Sequence, residues 1–227
     1  MTDKTVNHVN LMICTPGHSL MGSYVKSLLE TANELNKRGI TWGYTNEYSS
    51  HVGDSREMTL NCGPHMDAFN SVPFGGKITY DKMIWIDSDI AWSAEDVIKL
   101  YESEKDVIAG AYLFANGSVA AYKEKFGKGY SYEEVKNLTE IEKVYSVGFG
   151  FVCVKQGVFE SLSRPWFQST EDFIQDPSGK SVPFAIMGED TSWCFRVNQL
   201  GYEIYLDPSV QVTHHKMMKL TWEGITS

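Results

Sequence analysis

Two carboxylates close the apolar run Met83-Ile84-Trp85-Ile86, in the order Asp87-Ser88-Asp89. At a strand end the chain turns, so both acids can reach one ligand. Hard oxygen donors of this kind suit Mg²⁺ or Mn²⁺, which keep water and substrate phosphates in their shell. The competing explanation is a plain strand-to-turn cap, because Asp and Ser favour turns. A second acidic pair, Gly188-Glu189-Asp190-Thr191, opens a helical pattern. The helix macrodipole and capping favour acids there without any function, but a carboxylate so placed can also act as a general base toward a hydroxyl. His214-His215 follows a strand pattern; a neutral imidazole is a good ligand for a divalent metal, and an isolated His pair is also ordinary surface. Ser55-Arg56 completes the set. Arg clamps phosphate or stacks on a base, or simply forms a salt bridge on a helix.

The elements that must position these residues alternate through the first half. Residues 9–14, 40–44, 82–87 and 107–113 read as strands, the third of them continuously apolar and so buried. Residues 20–37 carry apolar positions at helical spacing and stop at Gly39. Asp54 and Glu57 have capping-box spacing for a helix over 55–69, broken near Gly63-Pro64, and Ser93 with Asp96 caps another. Alternating β and α elements imply a mostly parallel sheet covered by helices, with ligands outside the carboxyl ends of the strands. The second half is less regular. Residues 116–137 look like an exposed excursion, 144–154 like a strand interrupted by Gly148 and Gly150, 157–162 like a short helix and 163–184 like a long polar and aromatic loop. A helix over 189–200 and short strands at 202–206 and 210–212 complete the chain. The expected fold class is α/β, one domain over 1–227 in two functional halves of about 8–115 and 116–227.

Composition narrows the partners. The 227 residues carry 20 Lys+Arg against 29 Asp+Glu, a formal net charge of −9. That balance argues against nucleic acid and against an anionic membrane surface, both of which attract clusters of Lys and Arg. No apolar run approaches the ~20 residues of a membrane span. The polar start Met1-Thr2-Asp3-Lys4 lacks a signal-peptide apolar region, and Cys14, Cys62, Cys153 and Cys194 are scattered. These features point to a cytoplasmic protein with reduced cysteines.

Taken in order, the strand with its helix and Arg, the strand-D-x-D, the Gly-containing turn, Glu-Asp at a helix start, then Asp207-Pro208, strand and His strongly resemble the nucleotide-sugar-dependent glycosyltransferases of the GT-A fold, especially the family-2-like group. The resemblance runs from residue 10 to about His214, and residues 82–112 are its most specific stretch. It implies a Rossmann-like, mostly parallel sheet and a metal-dependent transferase using a nucleoside-diphosphate sugar, a UDP-sugar by preference, with Mn²⁺ or Mg²⁺ as cofactor. Thr15 and Pro16 match the segment that contacts the base, and Arg56 the one that contacts the nucleotide or diphosphate. Asp87 resembles the acid on the ribose or sugar, also close to the metal, with Ser88 between the acids. Asp89 resembles the direct metal ligand, and His214 or its neighbour His215 the late His that completes the site. Lys216 would face the diphosphate. Asp190, or Glu189 in second place, resembles the base that deprotonates the acceptor in inverting members. Gly148, Phe149 and Gly150 resemble the segment lining the acceptor pocket, and Trp166 in the following loop is an aromatic that can stack on a sugar.

The chain lacks the Q-x-x-R-W motif of processive synthases, so processive synthesis is not expected. The acceptor, whether glycan, lipid-linked or protein, is not specified. Two other readings stand beside this one. A non-catalytic nucleotide-sugar or glycan-binding module has the same fold. A D-x-D phosphohydrolase also places its acids after a strand, but on the first strand of the fold.

Overall fold

The computed structural model describes residues 7–60, 72–125, 127–216, 219–221 and 224–226. Its centre is a seven-stranded mixed sheet. The strands are β1 (Asn7–Pro16), β2 (Trp42–Glu47), β3 (Ile78–Ile86), β4 (Val107–Ala111), β5 (Glu142–Val144), β6 (Phe151–Lys155) and β7 (Ile204–Gln211). Their order across the sheet is β2-β1-β3-β6-β4-β7-β5. β1 pairs in parallel with β2 and β3, and β7 in parallel with β4; β6 runs against both of its neighbours, and β5 against β7. The fold class is therefore the expected one, with five strands pointing one way, and strands from both halves of the sequence share one sheet.

The period of two along β3 explains the layering. Met83 and Trp85 enter one apolar cluster, Ile84 and Ile86 the other. The second cluster is covered by α1 (Gly22–Lys37) and α3 (Ala94–Glu102), through Tyr24, Leu35, Val97, Ile98 and Leu100. α3 starts as expected: the Ser93 hydroxyl accepts from the Asp96 N–H at 3.3 Å and the Asp96 carboxylate accepts from the Ser93 N–H at 2.8 Å. The first cluster holds Trp85, Phe149, Phe159, Trp166, Phe167 and Trp193. It sits under α2 (Val52–Thr59) and a later helix described below.

Several segments differ from the sequence pattern. α2 begins at Val52 behind an N-cap at His51, so Asp54 lies inside the helix and not at its cap; the rest of the expected 55–69 helix, beyond residue 60, lies outside the described residues. The excursion over 116–137 is structured: Ser118–Tyr122, Gly129–Ser131 and Ser146–Val147 form a small sheet that buries Val119, Ala120, Ala121 and Tyr130. It is followed by α4 (Tyr132–Lys136), capped by a Ser131–Glu134 box. Residues 157–162 form hydrogen-bonded turns, not a helix. The 163–184 stretch is not a loop throughout: Thr170–Gln175 and Ser181–Met187 pair as an antiparallel hairpin around the turn at Asp176 and Gly179. The strands expected at 202–206 and 210–212 are one element with a register break after Asp207.

No described helix is long and apolar enough to cross a membrane.

Candidate active site

The carboxyl ends of β1, β2, β3, β4 and β7 face one cleft of about 840 Å³. The D-x-D turn forms its floor. The Asp87 N–H donates to the Gly150 carbonyl at 3.0 Å, and the Ile90 N–H donates back to the Asp87 carbonyl at 3.0 Å. The strand ends at Ile86, and this tight turn presents both acids to the cleft. Gly17 makes it possible, because a Cβ there would lie 2.7 Å from the Ser88 hydroxyl oxygen.

After the turn, Ile90–Ala91 pairs antiparallel with Thr213–His214, setting His214 opposite Ile90. That register brings His214 Nε2 to 3.2 Å from Asp89 Oδ2. His214 Nδ1 lies 2.8 Å from the Leu113 carbonyl oxygen. A carbonyl only accepts, so Nδ1 donates to it and Nε2 is the ring nitrogen that faces Asp89. The ring also lies edge-on to Tyr112, 5.3 Å between centroids. His215 meets Asp89 through its backbone, N–H to carbonyl oxygen at 2.8 Å. Lys216 reaches the same Asp89 Oδ2 with Nζ at 3.0 Å.

The acidic pair stands at the start of α5 (Glu189–Gln199). Its two members are used differently. Glu189 forms an ion pair with Arg56, which also reaches Asp87 at 3.4 Å. Asp190 lines the cleft, and both of its hydrogen bonds, from the N–H (2.7 Å) and hydroxyl (3.4 Å) of Thr191, fall on Oδ1.

Arg56 is 4% exposed. Its guanidinium lies 5.4 Å from the Phe149 ring centre and 5.7 Å from that of Phe167. Burial works against its charge, but Asp87, Asp190 and Glu189 together push its pKa up. Burial also pushes the Asp87 carboxyl up, with Arg56 opposing and Asp89 and Asp190 adding to the rise. The Tyr112 phenol is pushed up by burial and then by Asp87 and Asp190; its oxygen accepts from the Gly150 N–H at 3.2 Å.

Pro16, Arg56, Asp87, Ser88, Asp89, Asp190, His214, His215 and Lys216 line this one cleft. Thr15 does not: it is fully buried and its hydroxyl bonds the Tyr24 hydroxyl. The acceptor pocket expected around Gly148, Phe149, Gly150 and Trp166 is a correction. Phe149 and Trp166 are 0% exposed, stacked edge-on against Trp193 and Phe159 respectively. Gly148 and Gly150 lack side chains because Tyr112 fills that space; a Cβ on Gly150 would lie 2.7 Å from the Tyr112 ring. Sequence reasoning missed Tyr112 and Phe114 after β4 and Tyr48 after β2, all on the cleft wall. Tyr48 is half exposed and meets His18 edge-on at 5.0 Å. Their place just beyond strand ends was the available signal.

The donor set fits a divalent cation. A carboxylate oxygen and an imidazole nitrogen, two ligand types that such a cation takes, lie 3.2 Å apart. Among the described residues no group of three or more such side chains converges on one point. Asp89 and His214 would be two ligands from the described residues, and substrate oxygens and water would complete the shell, as Mg²⁺ and Mn²⁺ accept.

No protein-family model matches the chain, and no curated protein does. In structure it is similar to a crystal structure of A197 from STIV, with a TM-score of 0.52 and 18% identity over 96% of this chain and 91% of that one. That likeness is one of fold. Weaker similarities, at TM-scores of 0.46 and 0.45, link it to GalNAc-T7 crystallised with UDP, GalNAc and Mn²⁺ and to the catalytic domain of Drosophila β1,4-galactosyltransferase 7 in complex with xylobiose. The first is 12% identical over 91% of this chain and 44% of that chain, the second 11% identical over 97% and 70%.

Proposed function

We propose that the protein is a GT-A-type glycosyltransferase that moves a sugar from a nucleoside-diphosphate donor, a UDP-sugar by preference, to an acceptor hydroxyl. The observation that carries this reading is the pairing of Asp89 with His214 in a cleft that Asp190 also lines. Asp89 and His214 would hold Mn²⁺ or Mg²⁺, which when bound supplies neutralising charge for a departing diphosphate. Lys216 adds a positive charge on the same side. Arg56 acts through the acids and not on the substrate: it ties Asp87, after β3, to Glu189, at the first turn of α5. That pairing fixes where Asp190 points. With Thr191 bonding only Oδ1, Oδ2 of Asp190 remains to take the acceptor proton as the hydroxyl attacks, which would invert the sugar carbon.

Two alternatives have an observation to weigh. Lys216 already neutralises Asp89 at 3.0 Å, which favours a nucleotide-sugar-binding module that needs no metal. A phosphohydrolase would need Asp87 free as a nucleophile, and its ion pair with Arg56 speaks against that.

Thermal shift with UDP-, GDP- and ADP-sugars, with and without Mn²⁺, tests the reading. At a donor concentration about 100 times Kd the stabilisation is roughly 2.7 kcal/mol, equivalent to a Tm rise of about 5–10 °C for a chain of this size. One donor should give that shift, larger with Mn²⁺. A shift with phosphomonoesters alone would contradict it.

A further inference from the structure

Asp190 has a second neighbourhood, outside the donor cleft. Gly188 and Thr191, the residues that bracket the acidic pair, line a separate groove of about 280 Å³ with Tyr122, Glu124, Ile186 and Met187. A further compartment of about 280 Å³ lies beside it, lined by Lys123, Glu124, Lys128, Tyr130 and Glu134. Glu124 and Gly127 belong to both, so the two compartments adjoin, and the first is the one that meets the residues flanking the acidic pair.

The chemistry of the walls selects an occupant. Among the described residues no Lys or Arg lines the first compartment, and a phosphate there would face the exposed carboxylate of Glu124. Ile186 is 74% exposed and, with Met187, supplies an apolar strip, while Tyr122 supplies an aromatic wall. A sugar ring presents an apolar C–H face and a rim of hydroxyls, and a carboxylate accepts from two hydroxyls at once. In the second compartment the two lysines are balanced by Glu124 and Glu134; Lys123 lies 3.8 Å from Glu134 and over the Tyr130 ring. Each compartment has room for about one sugar unit, below the volume of a drug-sized site.

We infer that this double groove is the acceptor site and that it takes a neutral oligosaccharide of at least two units, the terminal one beside Asp190 and the next beyond Glu124. The inference rests on the donor reading above and replaces the buried Gly148–Gly150 segment as the place where the acceptor lies. A polypeptide acceptor is the competing occupant.

Saturation-transfer NMR on the full chain tests it, with lactose, maltose, cellobiose and chitobiose as probes beside glucose 6-phosphate and a serine-rich peptide. UDP with Mn²⁺ is titrated in parallel. The expected result is transfer to at least one neutral disaccharide, weakened roughly tenfold or more by Glu124→Ala at unchanged melting temperature. Transfer only to glucose 6-phosphate or to the peptide, transfer to no probe, or undiminished affinity in Glu124→Ala would overturn it. If UDP binds and no disaccharide does, this inference fails alone. If a disaccharide binds and UDP does not, the donor reading fails and the groove stands as a glycan-binding site.

Discussion

The acidic cleft and the aromatic cluster beneath it are built from the same short segments. Trp85 lies two residues before Asp87, Phe149 next to the Gly150 carbonyl that anchors the D-x-D turn, and Trp193 three residues after Asp190. The cluster is aromatic and buried; the cleft is polar and open. One residue belongs to both. Arg56 lays its guanidinium over Phe149 and Phe167 and turns its nitrogens to Asp87 and Glu189. The difference teaches how the site is made: the aromatics hold the segments still, and the strand and helix ends just beyond them carry the acids. A step of one to three residues along the segment separates support from chemistry.

That contrast can be broken at graded cost. Phe149→Ala, in the cluster alone, should destabilise by about 3–5 kcal/mol through lost burial and a residual cavity, read as a lower urea midpoint. Arg56→Met, at the junction, should cost about 3–4 kcal/mol because it leaves carboxylates without their buried partner. Unlike Phe149→Ala, it should also abolish transfer under conditions where the chain remains folded, assayed as nucleoside diphosphate release. Gly150→Ala places a methyl against Tyr112 and should cost about 1–3 kcal/mol by overpacking. Its effect should appear in the melting temperature and, through the Asp87 N–H that Gly150 anchors, in donor affinity. Ser93→Ala removes only the cap of α3, far in role from both regions, and should cost about 1 kcal/mol with transfer intact.

What the sequence made legible follows the same division. The D-x-D at the end of an apolar strand, the Ser93–Asp96 cap and the acidic start of α5 are local patterns, and the structure has each of them in place. A mostly parallel sheet followed from alternation of strands and helices in the first half, whereas the antiparallel insertion of β6 between β3 and β4 depends on long-range pairing that no local pattern encodes. The hairpin at Thr170–Gln175 and Ser181–Met187 was illegible because its strands mix acids, Pro and aromatics without clean alternation. Phe149 and Trp166 were misread for a physical reason: an aromatic ring suits a sugar face and a core equally well, and only burial distinguishes them. The choice of His214 over His215 as the side chain facing Asp89 needed the pairing register with Ile90–Ala91.

The most direct test compares wild type, Asp89→Asn and Asp190→Asn for Mn²⁺-dependent release of nucleoside diphosphate from the donor that thermal shift selects. The account predicts loss of release in Asp89→Asn and in wild type with excess chelator. In Asp190→Asn it predicts normal donor-induced stabilisation with transfer reduced by roughly 10²–10⁴-fold. Full release in Asp89→Asn, or full transfer in Asp190→Asn, would contradict it.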